Sequence, residues 1–421
     1  MARVLSGRLV EAVLPTRMGT PFRWLIGSSW LTNLGDGISV AAGPLLIASQ
    51  TQDALLVALA ALLQRLPWLL FGLYAGALAD RTDRRGIVVA ANLLRAAVLV
   101  ALAATLFAEQ ETVVVVLVAM LALGTAEVFA DTASGTLLPM VVAREDLGIG
   151  NARLMAGQLT GNHMVGPALG AALFAIGTAW PFMTQAVLVA LGVVLVARMR
   201  EPAYDRPARA SHVARDIAEG FRWTWGSPPV RTLTLAIVTF NVTFGAAWSV
   251  LVLYASQRLG LGAVGFGLLT TVVAVGGLVG TLSYDWLERH ARLASLMRIG
   301  LLIETFTHLG LAVTTTPWVA MAIMFVFGAH AFVWGTLSNA VRMRAVPTAL
   351  QGRVGSVYYV GVFGGILAGQ AVGGVIARLW GITAPFWFAF VGSALILALI
   401  WRALADIAHA DEAGLRSQRS G

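Results

Sequence analysis

Long apolar runs separated by short polar breaks dominate the chain. A helix that crosses about 30 Å of hydrocarbon needs about 20 mostly apolar residues. Twelve stretches have that character: 23–49, 54–79, 87–107, 112–138, 154–177, 180–198, 231–257, 263–286, 293–314, 317–341, 355–378 and 382–404. No ten-residue alternation of apolar and polar positions appears, and a single strand cannot satisfy its backbone in lipid, so all twelve are read as helices. The expected fold class is an all-α membrane protein of twelve transmembrane helices.

The pattern repeats. Displacing the chain on itself by about 204 positions superposes Gly72 and Gly76 on Gly276 and Gly280, and Met120, Gly124 and Ser134 on Met324, Gly328 and Ser338. Gly161, Gly166 and Gly170 meet Gly364, Gly369 and Gly373, and Pro181-Phe182 meets Pro385-Phe386. A nearly constant offset through several helices implies a parallel duplication, two pseudo-symmetric bundles of six helices. The expected organisation is an N-terminal bundle over 1–198, a cytoplasmic linker over 199–230, and a C-terminal bundle with its tail over 231–421. Within the linker a Pro/Arg-rich stretch, 201–209, precedes an amphipathic helix, 211–225. Its Phe221, Trp223 and Trp225, alongside Arg215 and Arg222, suit the membrane–water interface.

Composition agrees with lipid as the main solvent. Only 12% of the 421 residues are charged and 58% are hydrophobic, whereas a soluble chain carries about 25% charge. All 29 basic residues are arginine, and they concentrate in alternate loops: Arg8, Arg17 and Arg23; Arg81, Arg84 and Arg85; Arg144 and Arg153; Arg289 and Arg292; Arg342, Arg344 and Arg353. The linker adds Arg200, Arg206 and Arg209. The intervening loops carry none, apart from Arg258 and Arg378. By the positive-inside rule both termini and the linker face the cytoplasm of a bacterium, with the spans in its inner membrane. The high net charge of +8 is therefore a topology signal, not a nucleic-acid footprint. No cleavable signal is expected, since the first long apolar run begins near Trp24 and many follow.

Chemistry-bearing patterns are few. There is no cysteine, hence no disulfide, thiolate nucleophile or Cys-based metal site. The six histidines are scattered without metal-ligand spacing. No phosphate-binding GxxxxGK[ST] loop exists, so ATP is not the expected energy source. No cofactor and no catalysis are expected.

The strongest local motif is Gly76-Ala77-Leu78-Ala79-Asp80-Arg81-Thr82-Asp83-Arg84-Arg85, between the second and third spans. It resembles the major facilitator superfamily signature G-x-L-A-D-R-x-G-R-R, with Asp83 in place of the second glycine. In that reading Gly76 permits close helix packing, and Asp80 with Arg81, Arg84 and Arg85 forms a charge-paired cytoplasmic latch, which Arg95 and Asp131 extend. The fifth span holds Gly157, Gly161, Gly166, Pro167 and Gly170, similar to the antiporter motif of that superfamily's exporters; small-residue packing explains the same letters. Leu138-Pro139 and Gly352-Arg353-Val354 add likeness to the drug–proton antiporter branch, which includes macrolide and siderophore exporters. The resemblance implies the major facilitator fold, a small-molecule substrate, proton coupling and a monomeric unit.

Buried polar residues suggest where the mechanism lies, because a charge at mid-bilayer costs about 2.5–3.5 kcal/mol on insertion scales. The first span has Asn33 and Asp36 on one face, and the fourth has Glu127 and Asp131 on one face. The seventh has Asn241 and Trp248, and the tenth has His330, Trp334 and Asn339. In the superfamily these four spans line the substrate cavity, so Asn33, Asp36, Arg65, Asn241, Trp248, His330 and Trp334 are its candidates here. Asp36, then Glu127, are the candidates for proton coupling. By depth, Arg65 would pair with Asp36 and Arg95 with Asp131. Glu304 and His308, one turn apart, read as a packed polar pair or a proton relay. The expected activity is export of a hydrophobic or amphipathic compound in exchange for protons by alternating access. Import or facilitated movement of a metabolite, lipid flipping, and a non-transporting sensor are the rivals.

Overall fold

The computed structural model describes residues 18–199, 213–347 and 350–404, and is helical almost throughout. The arginines of 1–17 and 200–212, and the start of the linker helix, lie outside the described residues, as does the side chain of Asp80. The helices are α1 (Gly19–Gln50), α2 (Ala54–Arg81), α3 (Arg84–Phe107), α4 (Val113–Gly135), α5 (Arg144–Ile176) and α6 (Trp180–Ala197). The linker helix α7 (Val213–Gly226) precedes α8 (Pro228–Trp248), α9 (Ala263–His290), α10 (Leu293–Val313), α11 (Pro317–Ala345), α12 (Gln351–Trp380) and α13 (Ala384–Ile400). Eleven of these are long and apolar enough to cross a bilayer, and α13 is a shorter apolar helix. With the linker helix set aside they are the twelve helices of the major facilitator fold.

Two compact units result. Among the described residues, one comprises 18–51, 63–199 and 263–271, and the other 52–62, 213–262, 272–347 and 350–404. In the first, α1 lies against α5 and α6, and α3 against α4 and α6. In the second, α8 lies against α12 and α13, and α10 against α11 and α13.

Glycine seams hold these contacts, because two helix backbones can approach only where no Cβ intervenes. A Cβ on Gly37 would stand 2.3 Å from the Gly161 carbonyl oxygen, and one on Gly170 2.2 Å from that of Ile38. The antiporter-like glycines of α5 are thus the seam that seats α1. A Cβ on Gly157 would strike the Trp30 ring at 2.4 Å, whose indole N–H donates to the Arg153 carbonyl at 3.2 Å. The turns Gln158–Val165, just before Pro167, are π-helical. Proline has no N–H and its ring crowds the preceding turn, and a π segment absorbs that mismatch.

The second unit repeats the seam with one change of register. Gly369 and Gly373 of α12 abut the Val242 and Ala246 carbonyls of α8, as Gly166 and Gly170 abut α1. Gly364 has nothing nearby; its neighbour Gly365 makes the contact, with Val238. Gly124 and Gly328 both approach a backbone carbonyl, of Gln64 and Val273 respectively. Gly276 and Gly280 press on Phe325 and Ala329 of α11, yet Gly72 and Gly76 have no atom within 4 Å of a Cβ position. The close packing expected of Gly76 is therefore absent from this conformation.

The linker helix docks on α12. A Cβ on Gly220 would stand 2.5 Å from the Arg353 carbonyl oxygen, and Glu219 pairs with the Arg353 guanidinium at 2.9 Å. Trp223 turns inward against Val230, Val346 and Val354, while Phe221 and Trp225 stack at 5.2 Å and are exposed. Arg258, an exception to the loop pattern, donates to the Thr314 and Val313 carbonyls, both at 3.2 Å. It satisfies acceptors that the end of α10 leaves open.

Candidate functional site

The polar centre of the first unit forms around Arg95, two percent exposed and three turns into α3. Its guanidinium donates to the Asp36 carboxylate and to Asn92 Oδ1 at 3.0 Å. This corrects the pairing inferred from depth. Arg65 does not take Asp36; it is exposed on α2. Arg95 in turn is bonded to Asp36 and not to Asp131. Depth along a helix gives the height of a side chain but not the direction in which it points, and α3 turns Arg95 toward α1.

Asp36 is nine percent exposed and has a second partner. Gln185, in the otherwise apolar α6, donates its amide to Asp36 Oδ1 at 3.4 Å and accepts from the Ser39 hydroxyl. The seam glycines flank Asp36: Gly35 meets Gln185 on α6, and Gly37 meets α5. Three helices therefore fix one carboxylate. Glu127 and Asp131 lie one turn apart on α4, Glu127 half-buried and Asp131 exposed. Asn92, Gln185 and Ser39 were not foreseen. The legible signal was Gln185 itself, a lone amide in an apolar span, which must find a partner in lipid.

The latch residues divide. Arg84 donates to the Ala79 carbonyl at 3.1 Å and the Thr136 carbonyl at 3.3 Å, and Arg85 donates to the Ala197 carbonyl. Arg84 therefore reaches carbonyls at the ends of α2 and α4, and Arg85 one at the end of α6. Arg81 ends α2 and is exposed. Asn33 donates to Ser29 of its own helix, at 2.8 Å to the carbonyl oxygen, and Asn241 to the Ile237 carbonyl at 2.7 Å.

In the second unit His330 and Trp334 lie one turn apart, their rings 6.3 Å apart. His330 Nε2 lies 3.5 Å from Glu304 Oε2. Glu304 thus faces α11 and not His308, its expected companion on α10. Trp248 stacks on Phe244 at 4.4 Å and meets Phe327 at 4.8 Å.

The pattern described for transmembrane secretion effectors matches residues 12–420. The chain belongs to that family, within the major facilitator superfamily. Among relatives of this secretion-effector chain, the multidrug efflux pump Tap of Mycolicibacterium fortuitum is 27% identical over 371 residues, 83% of this chain and 88% of that protein. The enterobactin exporter EntS of Shigella boydii is 23% identical over 389 residues, 90% and 92% of the two chains. The fold matches a bacterial homologue of the iron transporter ferroportin in its inward-facing state, with TM-score 0.74, 16% identity, and coverage of 92% and 98%. That last likeness speaks to fold alone. The chain is a multi-pass membrane transporter.

Proposed function

We propose that this transporter exports a hydrophobic or amphipathic small molecule across the bacterial inner membrane in exchange for protons, by alternating access. The observation that carries the coupling is the buried Asp36 carboxylate, nine percent exposed and held by Arg95 of α3 and Gln185 of α6. A proton taken up by Asp36 releases it from Arg95, and a carboxylate changes its exposure across a membrane cheaply only when it is neutral. Asp36 is the carrier in this reading, with Glu127 second. Gln185 and Asn92 position the pair, and the α5 glycine seam holds α1 in register. Export over import is supported by the two relatives named as an efflux pump and an exporter. Both termini and the linker lie in the cytoplasm in this proposal, which follows from the arginine-rich loops, and the monomer is the working unit.

The test uses inverted vesicles containing the protein, in which respiration acidifies the lumen and export appears as uptake. Uptake of an amphipathic compound should follow the imposed pH gradient, collapse when that gradient is dissipated, and fail in Asp36→Asn. Uptake indifferent to the gradient would remove proton coupling from the account.

A further inference from the structure

Two arginines interrupt the loops that otherwise lack them, and the second unit treats the two differently. Arg378, in the last turn of α12, faces Asp53 at 3.7 Å. Arg258 ends the π-helical turn Tyr254–Arg258 that follows α8, and it has no carboxylate partner among the described residues. The loops at this end of the unit, 259–262, 314–316 and 381–383, contain no acid. Its Nε and Nη2 donate to the Thr314 and Val313 carbonyls, and among the described residues its Nη1 has no partner. A guanidinium offers five donors in a fixed fork. Arg258, half-buried and pinned on one side by two carbonyls, therefore holds the rest of its fork ready for an anion.

An apolar groove leads away from this arginine. It lies between α10 and α11, has a volume of about 590 Å³, and falls within the range of about 300–1,000 Å³ that ligand pockets occupy. Ile303 and Phe306 of α10 line one side, and Trp318, Ala322, Ile323 and Val326 of α11 the other. Phe306 and Val313 are seven residues apart on α10 and so share a face, which places the groove beneath the carbonyls that Arg258 holds. Gly310 lies between them, and a Cβ there would stand 2.8 Å from Ile323 Cδ1, so the two helices close on each other at that level. Phe306 and Trp318, 58% and 75% exposed, stand clear of the rest of the protein. From Trp318 to Val326 the groove descends about 12 Å along α11, most of the roughly 15 Å of hydrocarbon in one leaflet. Apolar walls at that depth exclude water, and hydrocarbon fills the space.

We infer that one anionic phospholipid binds here, with its phosphate on Arg258 and one acyl chain in the groove between α10 and α11. It belongs to the leaflet in which α10 ends, the outer one in the topology proposed above. Charge selects the headgroup. A guanidinium without a carboxylate, on the side where arginine is otherwise avoided, needs a negative partner, and its bonds to phosphate are charge-assisted and about twice as strong as neutral ones. The groove selects a lipid over a free anion, because a phosphate ion would leave the apolar walls uncovered. Trp318, at the first turn of α11, suits the boundary between headgroup and chain. The bound lipid ties the end of α8 to α10 and α11. The site is independent of proton coupling and of the compound exported.

The probe is palmitoyl-oleoyl phosphatidylglycerol, added to delipidated full-length protein in detergent and followed by native mass spectrometry. Phosphatidylcholine with the same chains is the comparison. One tight site should appear, with affinity about tenfold or more higher for phosphatidylglycerol. Arg258→Gln should erase that preference. Ala322→Phe, which fills the groove and leaves Arg258 in place, should weaken binding of both lipids about tenfold or more. Arg378→Gln, which removes the arginine already paired with Asp53, should change neither. Glycerol phosphate, a headgroup without a chain, should show no binding at the same concentrations. Phosphatidylglycerol with a photoreactive acyl chain should label peptides within 303–326. If Arg258→Gln does not yield monodisperse protein, Ala322→Phe and the labelled peptides carry the test. Equal affinity for the two lipids in the parent, unaltered binding in both variants, or labelling confined to other helices overturns the inference. Glycerol phosphate binding as tightly as the lipid would make Arg258 a simple anion site and overturn it as well. A stable dimer that excludes the lipid would assign the groove to a second copy of the chain, with the same consequence.

Discussion

Asp36→Asn and Arg95→Gln differ in a way that separates a proton carrier from a structural ion pair. Removing one partner of a buried pair costs about 3–5 kcal/mol, because the survivor is left charged in a poor solvent. Asp36→Asn leaves Arg95, two percent exposed, still held by Asn92. That residual support sets the expected loss at the lower end, about 3 kcal/mol. Arg95→Gln leaves Asp36, which can neutralise itself by taking a proton, so its loss should be smaller, about 1–2 kcal/mol. The double variant removes both charges and should recover about 1–2 kcal/mol relative to additivity. Stability is read by thermal unfolding of purified protein followed by size-exclusion chromatography, and function by gradient-driven uptake into inverted vesicles. The account expects the double variant to regain yield and thermal stability but not proton-driven uptake. Recovery of both would make the pair structural only. An Asp36→Asn protein as stable as the parent would refute the burial argument itself.

Other predictions follow from packing and topology. Gly37→Ala and Gly170→Ala place a Cβ within 2.3 Å of a carbonyl oxygen on the facing helix and should each cost about 1–3 kcal/mol or more, seen as loss of folded yield. Gly76→Ala meets open space and should be neutral or stabilising by up to about 1 kcal/mol; a large drop in yield would mean that another state of the protein packs there. Glu219→Gln breaks the partly exposed pair with Arg353 and should change stability by less than about 1 kcal/mol; a collapse in yield would make the linker helix part of the core. Single cysteines at Gln110 and Thr315 should react with an impermeant thiol reagent in intact cells, and one at Gly226 only after permeabilisation. Labelling in the opposite sense would invert the topology and the direction of transport.

Much of the architecture was written in composition and period. Twelve apolar runs gave the helices, and the offset near 204 gave the duplication, because lipid demands helices of a set length and glycine seams must recur where backbones cross. Even so, letters that repeat do not guarantee repeated contacts. Gly76 and Gly280 align, yet only Gly280 touches a neighbouring helix. Of the candidate site, the buried charges were legible in the sequence but their partners were not. Asp36 and Arg95 stood out in the sequence from the cost of burying charge, whereas the Asp36–Arg95 bond depends on the rotation of α3 about its axis. Glu304 likewise had a neighbour on its own helix, His308, but α11 brings His330 closer. Gln185 required recognition that one amide in an apolar helix needs an acceptor or donor on a neighbour.

The central claim is that a proton bound in the Arg95 cluster drives export. Its most direct measurement is uptake of ethidium, alongside a neutral amphipathic dye, into energised inverted vesicles with the parent protein and with Asp36→Asn at matched expression. The account predicts that at least one dye accumulates in parent vesicles, that nigericin abolishes this accumulation, and that Asp36→Asn vesicles permit only equilibration down the dye gradient. Accumulation by Asp36→Asn equal to the parent, or parental accumulation that survives nigericin, would contradict it.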